Sequence, residues 1–232
     1  MKVTSYRAGE AGDFAFTEDN AKRAAAAVTH YPEGRQASAV MALLDLAQRQ
    51  NDGWLSPEAI EYVANTLEMA PIRVYEVASF YSMYNTKPVG RHLVQVCRTT
   101  PCWLRGAAGL TDTCRDQLGI GLGETTGDGQ FTLVEVECLG ACANAPVVQI
   151  GDDYYEDLSP ERLSALLGDL KAGKEIAAGS QTGRQSSMPD GGAVTLTELP
   201  ERAPAEPGRA VPGPEFGDPV SPGPVSPSGE GA

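Results

Sequence analysis

The chain has 232 residues, a formal net charge of -13, and 41% apolar against 6% aromatic residues. That charge excludes nucleic acid as a partner, since phosphate binding relies on clustered Lys and Arg, and argues equally against an anionic membrane surface. No apolar run approaches the roughly 18 residues of a membrane span, so no direct membrane insertion is expected.

Residues 1–16 read as an N-terminal extension. Met1 to Asn20 lacks the continuous hydrophobic stretch of a signal peptide, which predicts a cytoplasmic protein. The same segment carries Glu10, Asp13, Glu18 and Asp19, unlike an acid-poor mitochondrial transit peptide, so a bacterial source is expected.

Residues 17–86 read as four short helices. Ala21, Ala24, Ala25 and Val28 form the apolar stripe of the first, and Ala37, Val40, Met41, Leu44 and Ala47 that of the second. Ser56-Pro57 is an N-cap and first-turn pair opening a third helix with Ile60, Val63, Ala64 and Leu67 inward. Pro71 opens a fourth, with Val74, Val77, Ala78 and Tyr81 inward. One stripe per helix predicts a small bundle. Nothing in it reads as catalytic: His30 fits a capping or surface position, and Tyr75, Phe80, Tyr81 and Tyr84 fit core packing before a docking surface.

Asn85 to Gly90 links the bundle to a second domain, 87–175. Arg91 to Val96 and Phe131 to Glu137 read as strands with a helix-like run between them, which makes a βαβ unit. Such units are parallel and right-handed, so both strands end on one sheet edge, where Cys97 and Cys138 emerge with Cys102 and Cys142 in the loops beyond. The crossover helix carries Leu104, Ala107, Leu110, Cys114 and Leu118 on one face, making Cys114 a core residue, and Gly119 ends it. Gly121 to Gly129 lacks the Gly-Lys-Ser/Thr ending of a phosphate loop and precedes a strand, so turn chemistry with Asp128-Gly129 as the corner is the reading. Pro146 to Ile150 and Tyr154-Tyr155, around Gly151-Asp152-Asp153, predict a hairpin, and Ser159-Pro160 caps a last helix with Leu163, Leu166, Leu167 and Leu170.

Five cysteines in a reducing cytosol suggest metal binding before disulfides. Two irons bridged by two sulfides need four thiolates, which Cys97, Cys102, Cys138 and Cys142 can supply, so one [2Fe-2S] cluster fits the count. The gaps of four and three residues differ from the Cys-x2-Cys of zinc knuckles and from the plant ferredoxin order. A zinc-stabilised interaction module remains an alternative. His92, five residues before Cys97, is a conceivable ligand for a Rieske-like centre, but such a site needs two histidines and four cysteines already suffice. Backbone N–H groups near Gly106 and Gly140 could stabilise a reduced cluster; Arg98 and Arg105 read as surface residues before tuning charges.

From Ile176 to Ala232 the composition shifts: ten of the seventeen prolines fall there, with one aromatic, Phe216. Too little apolar surface is on offer to offset ordering entropy, which predicts a disordered tail over 176–232, or an extended polyproline segment from Pro212 to Pro227.

The runs Cys97-Arg-Thr-Thr-Pro-Cys102-Trp-Leu-Arg-Gly106, Gly123-Glu-Thr-Thr126, Phe131 to Cys142 and Phe80 to Gly90 resemble the thioredoxin-like [2Fe-2S] subunit family of respiratory complex I, the NADH-quinone oxidoreductase of bacteria. The resemblance spans Thr17 to Gly173. It implies an α/β chain: an N-terminal helical bundle, then a thioredoxin-like [2Fe-2S] ferredoxin domain, with the tail unexplained. In that fold a cis-proline commonly precedes the third strand, and Pro146 is placed to be it. The resemblance further implies an electron-transfer subunit of an oxidoreductase with no catalytic site of its own. FMN and NADH would be bound by a partner subunit only, with quinone reduced elsewhere in the respiratory-chain complex. Other peripheral-arm subunits would be further partners, at the cytoplasmic face of the bacterial inner membrane. The equivalent subunit of a soluble NAD-linked hydrogenase or formate dehydrogenase is the alternative.

Overall fold

Thr17 opens the first helix by accepting a hydrogen bond from the Asn20 N–H at 3.3 Å, and α1 runs Glu18–Thr29 in a computed structural model that describes residues 14–189, 191, 192, 194 and 195. The chain divides into two units, Met1–Asp190 and Gly191–Ala232, and every helix and strand described belongs to the first. A 3-10 turn, Gln36–Ala39, leads into α2, Val40–Gln50. Ser56 caps α3, Pro57–Thr66, by accepting from the Ala59 N–H at 3.2 Å, and Pro71 starts α4, Pro71–Phe80. The bundle core is aliphatic, built on Leu43, Leu44, Leu55, Ile60, Val63, Leu67 and Val74. Phe14 and Phe16, counted in the extension, pack edge-on against Tyr62 with ring centroids 5.6 and 5.1 Å away; the rest of that extension lies outside the described residues.

Four stripe positions of the bundle differ from the reading. Ala37 is exposed because the three-residue period of the 3-10 turn puts Ala39 inside instead. Ala21 and Ala25 face water, since the apolar contact of α1 with the bundle runs along Ala24, Ala27 and Val28. Tyr81 leaves α4 in an extended conformation and is exposed, while Tyr84 turns inward and donates its hydroxyl to the Met41 carbonyl at 2.8 Å. His30 caps the end of α1 through its backbone N–H, as read. Ser56→Ala is expected to cost about 1 kcal/mol, the usual worth of an N-cap, and urea unfolding of the full chain checks it.

The second domain is a five-stranded sheet ordered β2-β1-β3-β4-β5. β1 (His92–Cys97) and β2 (Phe131–Val136) are parallel, in register from His92↔Phe131 to Cys97↔Val136. β3 (Val148–Ile150) runs antiparallel to β1, and β4 (Asp153–Glu156) antiparallel to β3 around Gly151-Asp152. The crossover is two helices: α5 (Thr100–Leu104), then α6 (Ala107–Leu118). Gly106, at φ 92°, resets the chain between them, so Leu104 ends its own helix and stands in water instead of sharing the α6 stripe. α7 (Pro160–Lys171) lays Leu163, Leu166 and Leu167 on the sheet beside Leu110 and the fully buried Cys114. Gly119 closes α6 at φ 68°, and Asp128-Gly129 makes the corner before β2, both as expected from turn chemistry.

The tail reading starts too early. Residues 176–189 lie against the domain, with β5 (Gly179–Ser180) parallel to β4; Pro212 to Pro227 fall outside the described residues. Bundle and sheet domain are joined by Arg49, whose Nη1 and Nη2 donate to both carboxylate oxygens of Asp152 at 2.7 and 2.9 Å while its Nε donates to Asp45.

Candidate metal centre

The parallel pair delivers two cysteines to one place. Cys97 is the last residue of β1, its N–H donating to the Val147 carbonyl at 3.1 Å, and the next N–H, of Arg98, donates to Val136 at the end of β2. Cys138 follows β2 by two residues. Cys102 sits in the first turn and a half of α5, and Cys142 opens a 3-10 turn, Cys142–Asn144. Cys97 and Cys102 are each 1% exposed, within an apolar collar of Ala107, Ala145 and Val147 flanked by Leu139, Ala141 and Tyr154; Cys138 and Cys142 are exposed. The Ala145–Pro146 peptide between this loop and β3 is cis.

The sulfurs stand in pairs. Cys138 Sγ and Cys142 Sγ are 3.5 Å apart, near the edge of about 3.8 Å that two thiolates span on a tetrahedral metal with bonds of about 2.3 Å. Cys97 and Cys102 are neighbouring thiols that shift each other's titration, and Cys97 is within electrostatic reach of Cys102, Cys138 and Cys142. Among the described residues no three His, Cys, Asp or Glu side chains gather as donors for one ion. A donor set of two thiol pairs fits a binuclear iron-sulfur cluster, which takes two thiolates per iron.

The backbone and one hydroxyl point hydrogen-bond donors at these sulfurs. Gly140, at φ 87°, turns its N–H onto Cys138 Sγ at 3.4 Å; with the help of Cys142 and Thr99 this lowers the Cys138 thiol pKa. Cys142 is raised, chiefly by the same pairing with Cys138. Burial pushes the Cys97 thiol up, but the Thr99 hydroxyl at 3.4 Å and the N–H groups of Leu139 and Thr99 outweigh it, and the net shift is downward. Cys102 is pushed up to about 12 by burial and by Cys97, against a lowering bond from the Val147 N–H. Cys114 is also pushed up to about 12, by burial alone: an inert thiol in the α6 core, apart from the four.

His92 is placed away from the sulfurs. It lies at the opposite end of β1 from Cys97, its ring tilted against Phe131 at 5.2 Å. Arg98 forms loose exposed pairs with Glu135 and Glu137 at 3.8 and 3.9 Å, the surface role read for it. Thr99, which faces Cys97 and Cys138, was missed by sequence reading; a hydroxyl residue two positions after a ligand cysteine was the available signal. Among the described residues no helix is long and apolar enough to cross a membrane.

The thioredoxin-like [2Fe-2S] ferredoxin family matches residues 24–171. A subunit of the NADH-quinone oxidoreductase of Rickettsia bellii is 56% identical over 159 residues, covering 68% of this chain and 95% of the relative. The mitochondrial NADH dehydrogenase [ubiquinone] flavoprotein 2 of Dictyostelium discoideum is 49% identical over 187 residues, 81% of this chain and 76% of the relative. An NAD+-reducing [NiFe]-hydrogenase in the air-oxidised state shares the fold at TM-score 0.50 and 22% identity, over 56% of this chain and 23% of that one. With a family match running from the bundle through α7 and relatives matched over most of their length, the chain belongs to the thioredoxin-like [2Fe-2S] ferredoxin family.

Proposed function

We propose that the chain is the [2Fe-2S] electron-transfer subunit of an NADH-quinone oxidoreductase, with Cys97, Cys102, Cys138 and Cys142 as the cluster ligands. A [2Fe-2S] cluster, when bound, accepts and returns one electron at a time. What supports the reading is the placing of two thiol pairs at the ends of neighbouring parallel strands, Cys138 and Cys142 with sulfurs 3.5 Å apart and Cys97 within electrostatic reach of the other three, two of the four enclosed and two exposed. Cys97 and Cys102 anchor the inner side and keep water from it; Cys138 and Cys142 leave the outer side open to a redox partner. Donors from Gly140, Leu139, Val147 and Thr99 favour negative charge on sulfur, which is the charge that reduction adds.

The partner is a subunit that binds FMN and oxidises NADH, with other peripheral-arm subunits around it. The relatives' names support this, and so do the apolar side chains left in water: Trp103 and Leu104 directly after Cys102, and Phe80, 78% exposed, at the end of α4. The complex belongs at the cytoplasmic face of a membrane, and the chain contributes no catalytic group of its own.

The test is transfer to the partner. Chemically reduced chain mixed anaerobically with the oxidised FMN subunit should lose its cluster paramagnetic resonance signal as flavin absorbance falls. A chain that keeps its electron in the presence of that subunit would overturn the assignment. Recovery of the native assembly with membranes supports complex I, whereas a soluble assembly carrying hydrogenase or formate dehydrogenase activity would move the chain to one of those enzymes.

A further inference from the structure

After α7 the chain turns back over the sheet domain and fastens onto the loop that carries Cys142. β5 pairs with β4, and the Gln181 N–H donates to the Glu156 carbonyl at 3.0 Å. Ser180 Oγ donates to Asp157 Oδ2 at 2.7 Å. Arg184 then serves three acceptors: Nη2 donates to Asp157 Oδ1 at 2.7 Å, and Nη1 to the carbonyls of Ala143 at 3.1 Å and Met188 at 3.3 Å. From the other side, Asn144 Nδ2 donates to the Ser186 carbonyl at 2.8 Å and to Glu156 Oε2 at 2.6 Å. The Arg184 and Asp157 side chains are only 11% and 4% exposed, so water screens this pair far less than the other ion pairs among the described residues.

The loop it grips is otherwise held by the Asp157 N–H, which donates to the Asn144 carbonyl at 2.8 Å, and by Leu139 and Ala141 packed beside the inner cysteines; the side-chain bonds just after Cys142 are those with Arg184, Ser186 and Glu156. Cys138, Gly140 and Cys142 are exposed, and a Cβ added at Gly140 would meet nothing within 4 Å. A loop of that kind opens at low cost unless something outside it ties it down. Ala143 and Asn144, the two residues after Cys142, are the points where Arg184 and Ser186 attach. These residues lie beyond the family match, which ends at 171.

We infer that residues 179–188 form a strap that holds the Cys142 loop in its ligand-bearing conformation, with Arg184 as the positioning residue. The inference rests on the reading of Cys142 as a cluster ligand. The strap fixes the backbone just after that cysteine, so the thiol does not have to be ordered anew each time a ligand bond breaks. Its effect is on how long the site retains the cluster, while the inner pair keeps its place through β1 and α5.

The full chain carrying Arg184→Ala, loaded with cluster, should release iron to a chelator about tenfold faster than wild type, the consequence expected from losing a charged hydrogen bond at the loop. Ser56→Ala, which weakens the bundle and touches no strap residue, should release at the wild-type rate. A wild-type rate for Arg184→Ala overturns the strap, and so does equal acceleration by Ser56→Ala, because the effect would then be general instability. If Arg184→Ala yields no folded protein, Ser180→Ala decides: it removes one bond from Asp157 without stranding a charge, and about threefold faster release is expected. An unchanged rate there overturns the strap. A wild-type chain that holds no cluster at all defeats the ligand reading instead.

Discussion

Cys97→Ala or Cys138→Ala is expected to leave protein without its native [2Fe-2S] cluster, whereas Cys114→Ala should purify with the full cluster content. Each of the four proposed ligands is half of a pair, and an iron left with one protein thiolate has no substitute donor nearby: among the described residues no His, Asp or Glu joins the sulfurs in a donor group. Cys114 is different in kind. It is fully buried among Val94, Leu133 and Leu163, so Cys114→Ala should cost about 1–2 kcal/mol of stability through a small cavity and nothing in iron content. Visible absorbance and iron and sulfide analysis of the three variants check the expectation. Loss of the cluster in Cys114→Ala alone would mean the thiols have been sorted wrongly.

The largest stability effect is expected from Gly90→Ala. The backbone of Gly90 passes β2 so closely that an added Cβ would sit 2.7 Å from the Phe131 carbonyl carbon and 2.8 Å from its nitrogen. Both are main-chain atoms and cannot swing aside as a flexible side chain would. The Gly90 N–H is also held, donating to the buried Thr132 hydroxyl at 2.6 Å. An alanine there has to part β1 from β2 at the end where their register begins, His92↔Phe131, at a cost of about 3 kcal/mol or more. Because that register also sets Cys97 opposite Val136, cluster retention should fall with stability. Gly127→Ala, where a Cβ meets nothing within 4 Å and φ is not positive, should stay within about 0.5 kcal/mol of wild type. Urea unfolding of the two variants side by side checks this.

Sequence carried the architecture well where one residue type meets one job. Ser56-Pro57 and Ser159-Pro160 start helices because a hydroxyl cap followed by a proline has few other uses, and both hydroxyls accept the expected N–H. The βαβ unit was legible from two strands and a crossover, and its parallel geometry brought Cys97 and Cys138 to one edge without any knowledge of the loops. Helix faces were less legible. The Ala-rich α1 offers several equivalent stripes, and only contact with α2 selects Ala24; the split of the crossover at Gly106 depends on a left-handed residue that a period count passes over. The composition of 176–189 resembles that of a tail, yet Ser180 and Arg184 find a buried carboxylate thirty residues or fewer away. Asp157 carries no motif, and its partners are set by where β4 ends. Thr99 was hidden for a related reason: its hydroxyl matters because two loops meet over it, which no local pattern encodes.

The most direct measurement is an electron paramagnetic resonance spectrum of the anaerobically purified, chemically reduced full chain, taken with iron and acid-labile sulfide analysis of the same sample. The expected result is about two irons, two sulfides and one unpaired spin per chain, with the spin signal absent from Cys97→Ala and retained by Cys114→Ala. A chain holding a single zinc and no labile sulfide, or a reduced sample with no spin signal, would contradict it.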